Sequence, residues 1–492
     1  MMGVGYAEIF RLVLPETIVV IAAFLVLAMD RIFLTKAATR ARFAVAAIIA
    51  VAGCAAAIAR ILAAPEHAFL PDGVLAVDAA SQLVQIALLI LTILTVLLSV
   101  ESRFTEHVGE YVLLILLATA AMMFLVSSEN VLVIFLSLEL LSLSLYILTA
   151  FSKASIQSAE AGVKYFLFGG MSAAFMLFGL SLLYGLSGSV SLSGIATAIR
   201  PHGLDPMLMV ALVMTVIGFG FKVAAVPFHL WAPDAYQGAP APSASLIAAG
   251  SKVASFFIFA KVLLIGFAGA EGNAAWHGYA AGYVPVLAVV AAASMVLGNV
   301  AAIAQSSLRR LLAYSAMAHA GYLLLAIAAH TPQSVAALLY YVFTYGLTTV
   351  GAFGIIAVVE AETGGDKLSV FDGLSRRAPL LSLCMLVFLL SLAGIPPLAG
   401  FFGKFYLFAA ALRSAGMQLL WLVILAIAMS AVSLYYYLRV LKGIYVADPP
   451  AAALRVPLLN QAILCLIAVG VVLLGAVPGW LLHIIESALS AH

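Results

Sequence analysis

Charged residues make up only 9% of this 492-residue chain, against about a quarter in soluble domains. So little charge excludes a soluble globular fold. No run of five like charges occurs and the formal net charge is +2, which excludes a nucleic-acid partner and a basic surface-binding tail. Cysteine is nearly absent: Cys54, Cys384 and Cys465 lie far apart in the sequence, each inside an apolar stretch. With neither a disulfide framework nor a C-x-x-C metal or iron–sulfur spacing, they read as packing residues. A dinucleotide fingerprint, a phosphate loop, a nucleophile elbow and a zinc-binding histidine pair are also missing. Redox cofactors would therefore have to be held elsewhere. The segment from Met1 to Arg11 lacks the basic-then-apolar pattern of a cleaved signal, so the first span is expected to be retained.

What is present is hydrophobic sequence, 65% of the chain, in runs that match the roughly 20 residues needed to cross a bilayer. Charge, glycine and proline divide these runs into about fourteen helices, at 10–29, 41–63, 78–100, 111–127, 130–151, 160–186, 207–236, 241–266, 281–304, 309–329, 333–361, 378–412, 417–446 and 456–486. The expected fold is an all-α polytopic membrane protein. An even number of spans places both termini on one side. With the termini outside, the inner connections hold Arg31, Lys36, Arg40, Arg42, Arg103, Lys153, Arg309, Arg310, Lys367, Arg376, Arg377, Arg439, Lys442 and Arg455. The outer side holds only Arg11, Arg200 and Arg413, as the positive-inside rule requires. The mainly polar segment from Glu360 to Arg377 reads as an inner connection, either touching a partner or solvated.

Six basic residues remain at membrane depth: Arg60, Lys164, Lys222, Lys252, Lys261 and Lys404. Arg60 and Lys261 lie toward helix ends and are expected to snorkel. A lysine at a span centre costs about 2.5–3.5 kcal/mol, so the other four represent roughly 10–14 kcal/mol that packing alone does not select. Lys164, with Glu160 four residues earlier, reads equally as an inner-mouth ion pair or as part of a relay. Lys222 precedes Pro227, whose missing N–H leaves the carbonyl of Val223 without its helical partner. Lys404 follows Gly394-Ile395-Pro396-Pro397-Leu398-Ala399-Gly400-Phe401-Phe402-Gly403. Interrupted backbone at membrane depth occurs where it is buried in protein or faces water, and paired interruptions point to an internally repeated transporter. The breaks fall in spans 7 and 12, an odd separation, so a repeat would be inverted. Its units would be spans 4–8 (111–267) and 9–13 (281–446), after an N-terminal three-helix segment (1–110) and before a C-terminal helix (456–492).

Glu139 is read as the one carboxylate deep in an apolar helix, with Ser142 and Tyr146 on its helical face. A static ion pair and a switchable one both remain open. At about 4 Å and an effective dielectric near 20, a Glu–Lys pair is worth roughly 4 kcal/mol, enough to move a buried lysine across neutral pH. His229 and His319 are the two histidines at depth. A satisfied core histidine and a polar stepping stone both fit them, and nothing else in the sequence supports a bis-histidine haem site.

The run Lys222 through Pro227-Phe228-His229-Leu230-Trp231-Ala232-Pro233-Asp234-Ala235-Tyr236, continuing to Ala239-Pro240-Ala241-Pro242, resembles the span 7–8 signature of the antiporter-like membrane subunits of bacterial respiratory complex I, the proton-pumping NADH:quinone oxidoreductase. The resemblance covers nearly the whole chain. Gly400-Phe401-Phe402-Gly403-Lys404-Phe405 resembles the subunit N branch: the M branch carries glutamate where Lys404 stands, and the L branch carries lysine but continues into a lateral helix. The resemblance implies fourteen helices with two inverted five-helix repeats and a role in one proton pathway. It makes Glu139 the pairing acid, Lys222 the proton-loading lysine and Lys252 the central relay. Lys404 becomes the exit residue, with His229 and His319 as connectors. It also implies an inner-membrane location, sibling membrane-arm subunits as partners, and flavin, iron–sulfur clusters, NADH and quinone on other subunits, none bound here. A sodium/proton antiporter subunit of the multisubunit type shares fold and lysines and is the competing expectation; a plain membrane scaffold is the third.

Overall fold

In a computed structural model, residues 6–63, 67–200, 204–414, 417–449 and 453–490 are described. Helices dominate. In chain order they are α1 (Tyr6–Leu12), α2 (Leu14–Ile32), α3 (Thr39–Ala63), α4 (Ala79–Ser99), α5 (Val108–Val126), α6 (Val131–Thr149) and α7 (Ile156–Ser187). Then follow α8 (Leu192–Ile199), α9 (Pro206–Lys222), α10 (Ala232–Gly238), α11 (Ala241–Ala248), α12 (Gly250–Lys261), α13 (Tyr283–Ile303) and α14 (Leu308–Ala329). The last are α15 (Pro332–Thr363), α16 (Leu374–Arg377), α17 (Pro379–Ala393), α18 (Ala399–Leu412), α19 (Leu420–Val446), α20 (Leu458–Ala476) and α21 (Pro478–Ser490). The one strand pair among the described residues is a two-residue antiparallel hairpin, Ala68–Phe69 against Ala76–Val77. Short polar residues start many of the helices: Asp78 and Ser81 form a capping box on α4, and Asn130, Ser155 and Asp205 accept from the first free N–H groups of α6, α7 and α9.

Eleven helices among the described residues are long and apolar enough to cross a membrane. They are not equivalent. The α11–α12 run and α14 are each 94% buried over their most apolar window and α15 is 89% buried, whereas α7 and α19 are 33% buried. The first three form the centre and the last two the perimeter. Phe166, Leu167 and Phe178 of α7 and Ile424 and Ile427 of α19 stand exposed, an apolar surface suited to lipid or a membrane neighbour. Helix α2 is of spanning length but carries Glu16, Asp30 and Arg31. Asp30 is buried and receives a two-pronged pair from Arg42 at 2.7 and 2.6 Å.

Several expected runs are interrupted. Span 7, expected over 207–236, stops at Lys222 and resumes as α10. The 378–412 run divides at Gly394, whose φ of +88° lies in the left-handed region that glycine alone adopts without strain. The 241–266 run is divided at Ala249 and ends in a π turn, Val262–Gly266, and the last run is split at Val477. The segment from Glu360 to Arg377 is docked on this chain: Phe371 and Leu374 are buried, and Leu308 N–H and Leu368 N–H bond to Asp366 and Ser306 carbonyls.

Sequence distance also misleads for two cysteines. Cys384 on α17 and Cys465 on α20 bring their sulfurs to 3.9 Å, both as free thiols. Mild oxidation is expected to link them, giving a 384–465 disulfide peptide in mass spectra that Cys384→Ser removes; separate alkylation of both thiols after oxidation would contradict the α17–α20 packing.

Candidate functional site

Three lysines occupy the interior, and each is tied to a helix interruption. Lys222 is the last residue of α9 and is 6% exposed. Beyond it Ala224 adopts φ +58°, which costs an L-residue roughly 1–2 kcal/mol. Two hydrogen bonds hold this strained turn: Trp231 Nε1–H to the Phe221 carbonyl at 2.9 Å, and Val226 N–H to Ser294 Oγ at 2.9 Å. The Lys222 ammonium lies 5.8 Å from the Tyr146 ring centre and has no hydrogen-bond partner. Glu139, two turns before Tyr146 on α6, is only partly buried and forms no ion pair with Lys222 within 4 Å. The expected close pair is open here, with the tyrosine beside the lysine.

Lys252 sits in α12, three residues past the Ala249 interruption, and is 1% exposed. Its ammonium donates to the Ala316 carbonyl at 2.6 Å and lies 5.7 Å from the Tyr345 ring centre. Lys404 belongs to α18 but reaches back across the break. It donates to the carbonyls of Leu392 and Ala393, both at 3.0 Å, and to Ser430 Oγ at 2.9 Å. Leu392 and Ala393 end α17, so their carbonyls have no helical N–H to accept from. A cation at that end is also favoured by the helix dipole. The interruption thus creates the acceptors that hold Lys404.

His319 lies between Lys252 and Lys404. Its Nδ1 is 2.5 Å from Tyr341 OH and its Nε2 3.2 Å from Tyr437 OH, which also bonds Ser315 Oγ. The ring packs on Tyr345, 5.0 Å between centroids, and edge-on to Tyr322, 5.7 Å away. Tyr322 in turn lies 5.3 Å beneath the Lys404 ammonium. The line reads Lys252, Tyr345, His319, Tyr322, Lys404. Nothing in the sequence marks Tyr345, Tyr341 or Tyr437 as neighbours of His319; Tyr322 stands three residues after His319 on one helix face, a spacing that could have pointed to it.

The remaining expected residues fall elsewhere. His229 is half-buried on the segment after the α9 break, and its Nδ1 is buried without a hydrogen-bond partner; no hydrogen bond or ring contact among the described residues joins it to Lys222 or Lys252. Lys164 is at the surface, bonded to Glu160 at 2.7 Å and Asp234 at 2.8 Å, with Arg310 on the other Asp234 oxygen at 2.6 Å. Arg310 lies in the first turn of α14 and Lys164 about two turns into α7, so this cluster joins α7, α10 and α14 at one mouth of the bundle. Nearby, a cavity of about 530 Å³ is lined by Glu101, Pro240, Arg309, Glu360 and Asp366, with Arg309 bonded to Glu360.

One expectation needs correction. Lys261 does not snorkel: it is paired with Glu129 at 3.0 Å and Asp78 at 3.6 Å. A second buried carboxylate also appears: Glu16, in the first turn of α2, is 2% exposed, while Glu139 is only partly buried. Short distance from the helix start hid Glu16 from a reading based on run length. Among the described residues no group of three or more histidine, cysteine or acidic side chains is placed to hold a metal ion. The arrangement can store and pass a positive charge or proton. Lys404→Met is expected to leave the α17 carbonyls without their charged donor, costing about 1.5–3 kcal/mol, visible as a lower melting temperature of the assembled protein; an unchanged melting temperature would show that these bonds are not structural.

The chain is similar to known proteins along nearly its whole length. The profile of the NADH:quinone oxidoreductase/Mrp antiporter membrane family matches residues 128–430. A protein of Acidobacterium capsulatum named NADH-quinone oxidoreductase subunit N 2 is 57% identical, covering 98% of this chain and 99% of the relative. A chain in the structure of respiratory complex I from Thermus thermophilus is 35% identical with a TM-score of 0.78, over 95% of this chain and 98% of that one. A chain of the Mrp complex from Dietzia sp., 21% identical with a TM-score of 0.79 over 96% of this chain and 97% of that one, shares the fold. The chain belongs to the NADH:quinone oxidoreductase/Mrp antiporter membrane family, and within it to the subunit N group of NADH-quinone oxidoreductase.

Proposed function

We propose that this chain is the proton-translocating subunit N of a bacterial NADH-quinone oxidoreductase, coupling electron transfer on other subunits to proton movement through its own buried lysines. The observation that carries it is that Lys222, Lys252 and Lys404 are each at most 6% exposed, with no carboxylate within ion-pair distance among the described residues. A fixed ammonium in that position is costly, whereas a lysine that gains and loses a proton is a usable carrier. Glu139 acts as the acid whose approach to Lys222 favours its charged form. Lys252, His319 and Lys404 carry the proton onward and out, with Tyr345 and Tyr322 between them. His229 is the connector near Lys222, and Lys164 serves the inner mouth with Asp234.

The fold accompanying this function has fourteen spans. The eleven long helices are joined by α2, by α9 with α10, and by the α17–α18 pair. Two inverted five-helix repeats, 111–267 and 281–446, follow an N-terminal three-helix segment, 1–110, and precede a C-terminal helix, 456–492. Interruptions after Lys222 and before Lys404 support the repeat. Both termini face outward, as the distribution of basic connections supports. Flavin, iron–sulfur clusters, NADH and quinone reside on other subunits, and sibling antiporter-like subunits are the membrane neighbours.

Moving one charge against 100 mV takes about 2.3 kcal/mol, within the roughly 4 kcal/mol that closing a Glu–Lys pair supplies. In the reconstituted complex, Lys222→Ala or Glu139→Ala is expected to lower protons pumped per NADH oxidised while the complex still assembles. Full pumping in both variants would overturn the relay. A sodium flux that depends on this subunit would instead support the multisubunit antiporter reading.

A further inference from the structure

At the end of the bundle away from Asp234, a second buried titratable group stands outside the lysine line. Glu16 is the third residue of α2 and is 2% exposed. Its Oε1 accepts from Gln85 Nε2 at 2.6 Å, and the same amide nitrogen donates to Ser127 Oγ at 2.8 Å. Its Oε2 is buried and makes no hydrogen bond. No cation stands within ion-pair distance of Glu16 among the described residues. The charged groups of the surrounding elements are engaged elsewhere: Lys261 of α12 pairs with Glu129 and Asp78, and Arg60 of α3 donates to the Arg11 carbonyl at 3.4 Å.

An ionised carboxylate accepts about four hydrogen bonds, and this one has a single donor outside its own residue. The first turn of α2 favours negative charge, but that gain is smaller than the cost of burying an unpaired ion. A neutral acid fits the position. A small crevice lined by Arg11, Pro15, Arg60, Gln82 and Gln85 reaches its chain neighbour Pro15 and its hydrogen-bond donor Gln85, though not Glu16 itself. On its inner side Gln85 leads to Ser127, whose chain neighbour but one, Glu129, holds Lys261. Lys261 stands nine positions after Lys252 on α12, where the helix loosens into the π turn.

We propose that Glu16 is a proton-binding site at the outer end of the N-terminal helices, exchanging its proton through the Arg11–Arg60 crevice, with Gln85 as the residue that positions its carboxyl. Proton release leaves the carboxylate and delivers the proton to water in the crevice. The site stands apart from the Lys222–Lys404 line and rests on the membrane reading of the chain with its termini outward.

Carbodiimide chemistry tests it without using pumping as a readout, because dicyclohexylcarbodiimide modifies protonated carboxyl groups in apolar surroundings. The intact complex in membranes is treated across a pH series and the peptide carrying Glu16 is followed by mass spectrometry. Labelling of Glu16 that falls as pH rises, and a midpoint that shifts in Gln85→Leu, are expected. Glu16→Gln serves as the unlabelled control. A Glu16 that stays unlabelled at every pH, in the parent and in Gln85→Leu, overturns the proposal. Labelling suppressed by sodium chloride but not by raised pH also overturns it, making the position a cation site. Native gels of each variant confirm that the labelled species is assembled.

Discussion

An ammonium group buried without a carboxylate is the constraint on which the interior is organised. Lys222, Lys252 and Lys404 are each held among apolar helices, and what they meet is backbone carbonyl, hydroxyl and tyrosine ring. Those partners hold a lysine in place without fixing its charge. A carbonyl accepts from a neutral amine as well as from an ammonium, whereas a contacting carboxylate would lock the proton on. A ring contributes about 0.5–2 kcal/mol toward the charged form, too little to offset burial alone. No ion pair among the described residues therefore fixes their charge.

The helix interruptions follow from the same requirement. Lys404 binds the carbonyls that end α17, and those carbonyls are available only because Gly394 turns the chain. Around Lys222 the solution differs: the break is held by Trp231 and Ser294, and the ammonium is left unbonded with Glu139 at a distance. Lys252 and Lys404 are held by hydrogen bonds, and Lys222 is not. The cluster of Lys164, Asp234 and Arg310 ties α7 and the first break to the start of α14.

The sequence made the membrane character, the helix runs and the three deep lysines legible, because a charge inside a long apolar run is visible without knowing the fold. It also exposed the breaks through Pro227 and Gly394–Pro397. Tertiary neighbours were not visible. Tyr345 and Tyr341 come from a helix remote in sequence from Lys252 and Lys404, and nothing in their spacing marks them as spacers around His319. Glu16 escaped because it lies near a helix start, where a carboxylate is ordinary until its burial is known. Lys261 looked like a snorkelling residue because Glu129 and Asp78 are far from it in sequence. Lys164 was ambiguous, and its surface pairing accounts for why a relay and an interfacial pair looked alike.

Arginine at position 404 separates holding a charge from passing a proton, since guanidinium keeps the positive charge and the hydrogen-bond donors but does not lose its proton under working conditions. The decisive measurement is the number of protons pumped per NADH by reconstituted complex carrying Lys404→Arg. The account predicts normal assembly with fewer protons pumped per NADH; an unchanged ratio would contradict a proton path through Lys404.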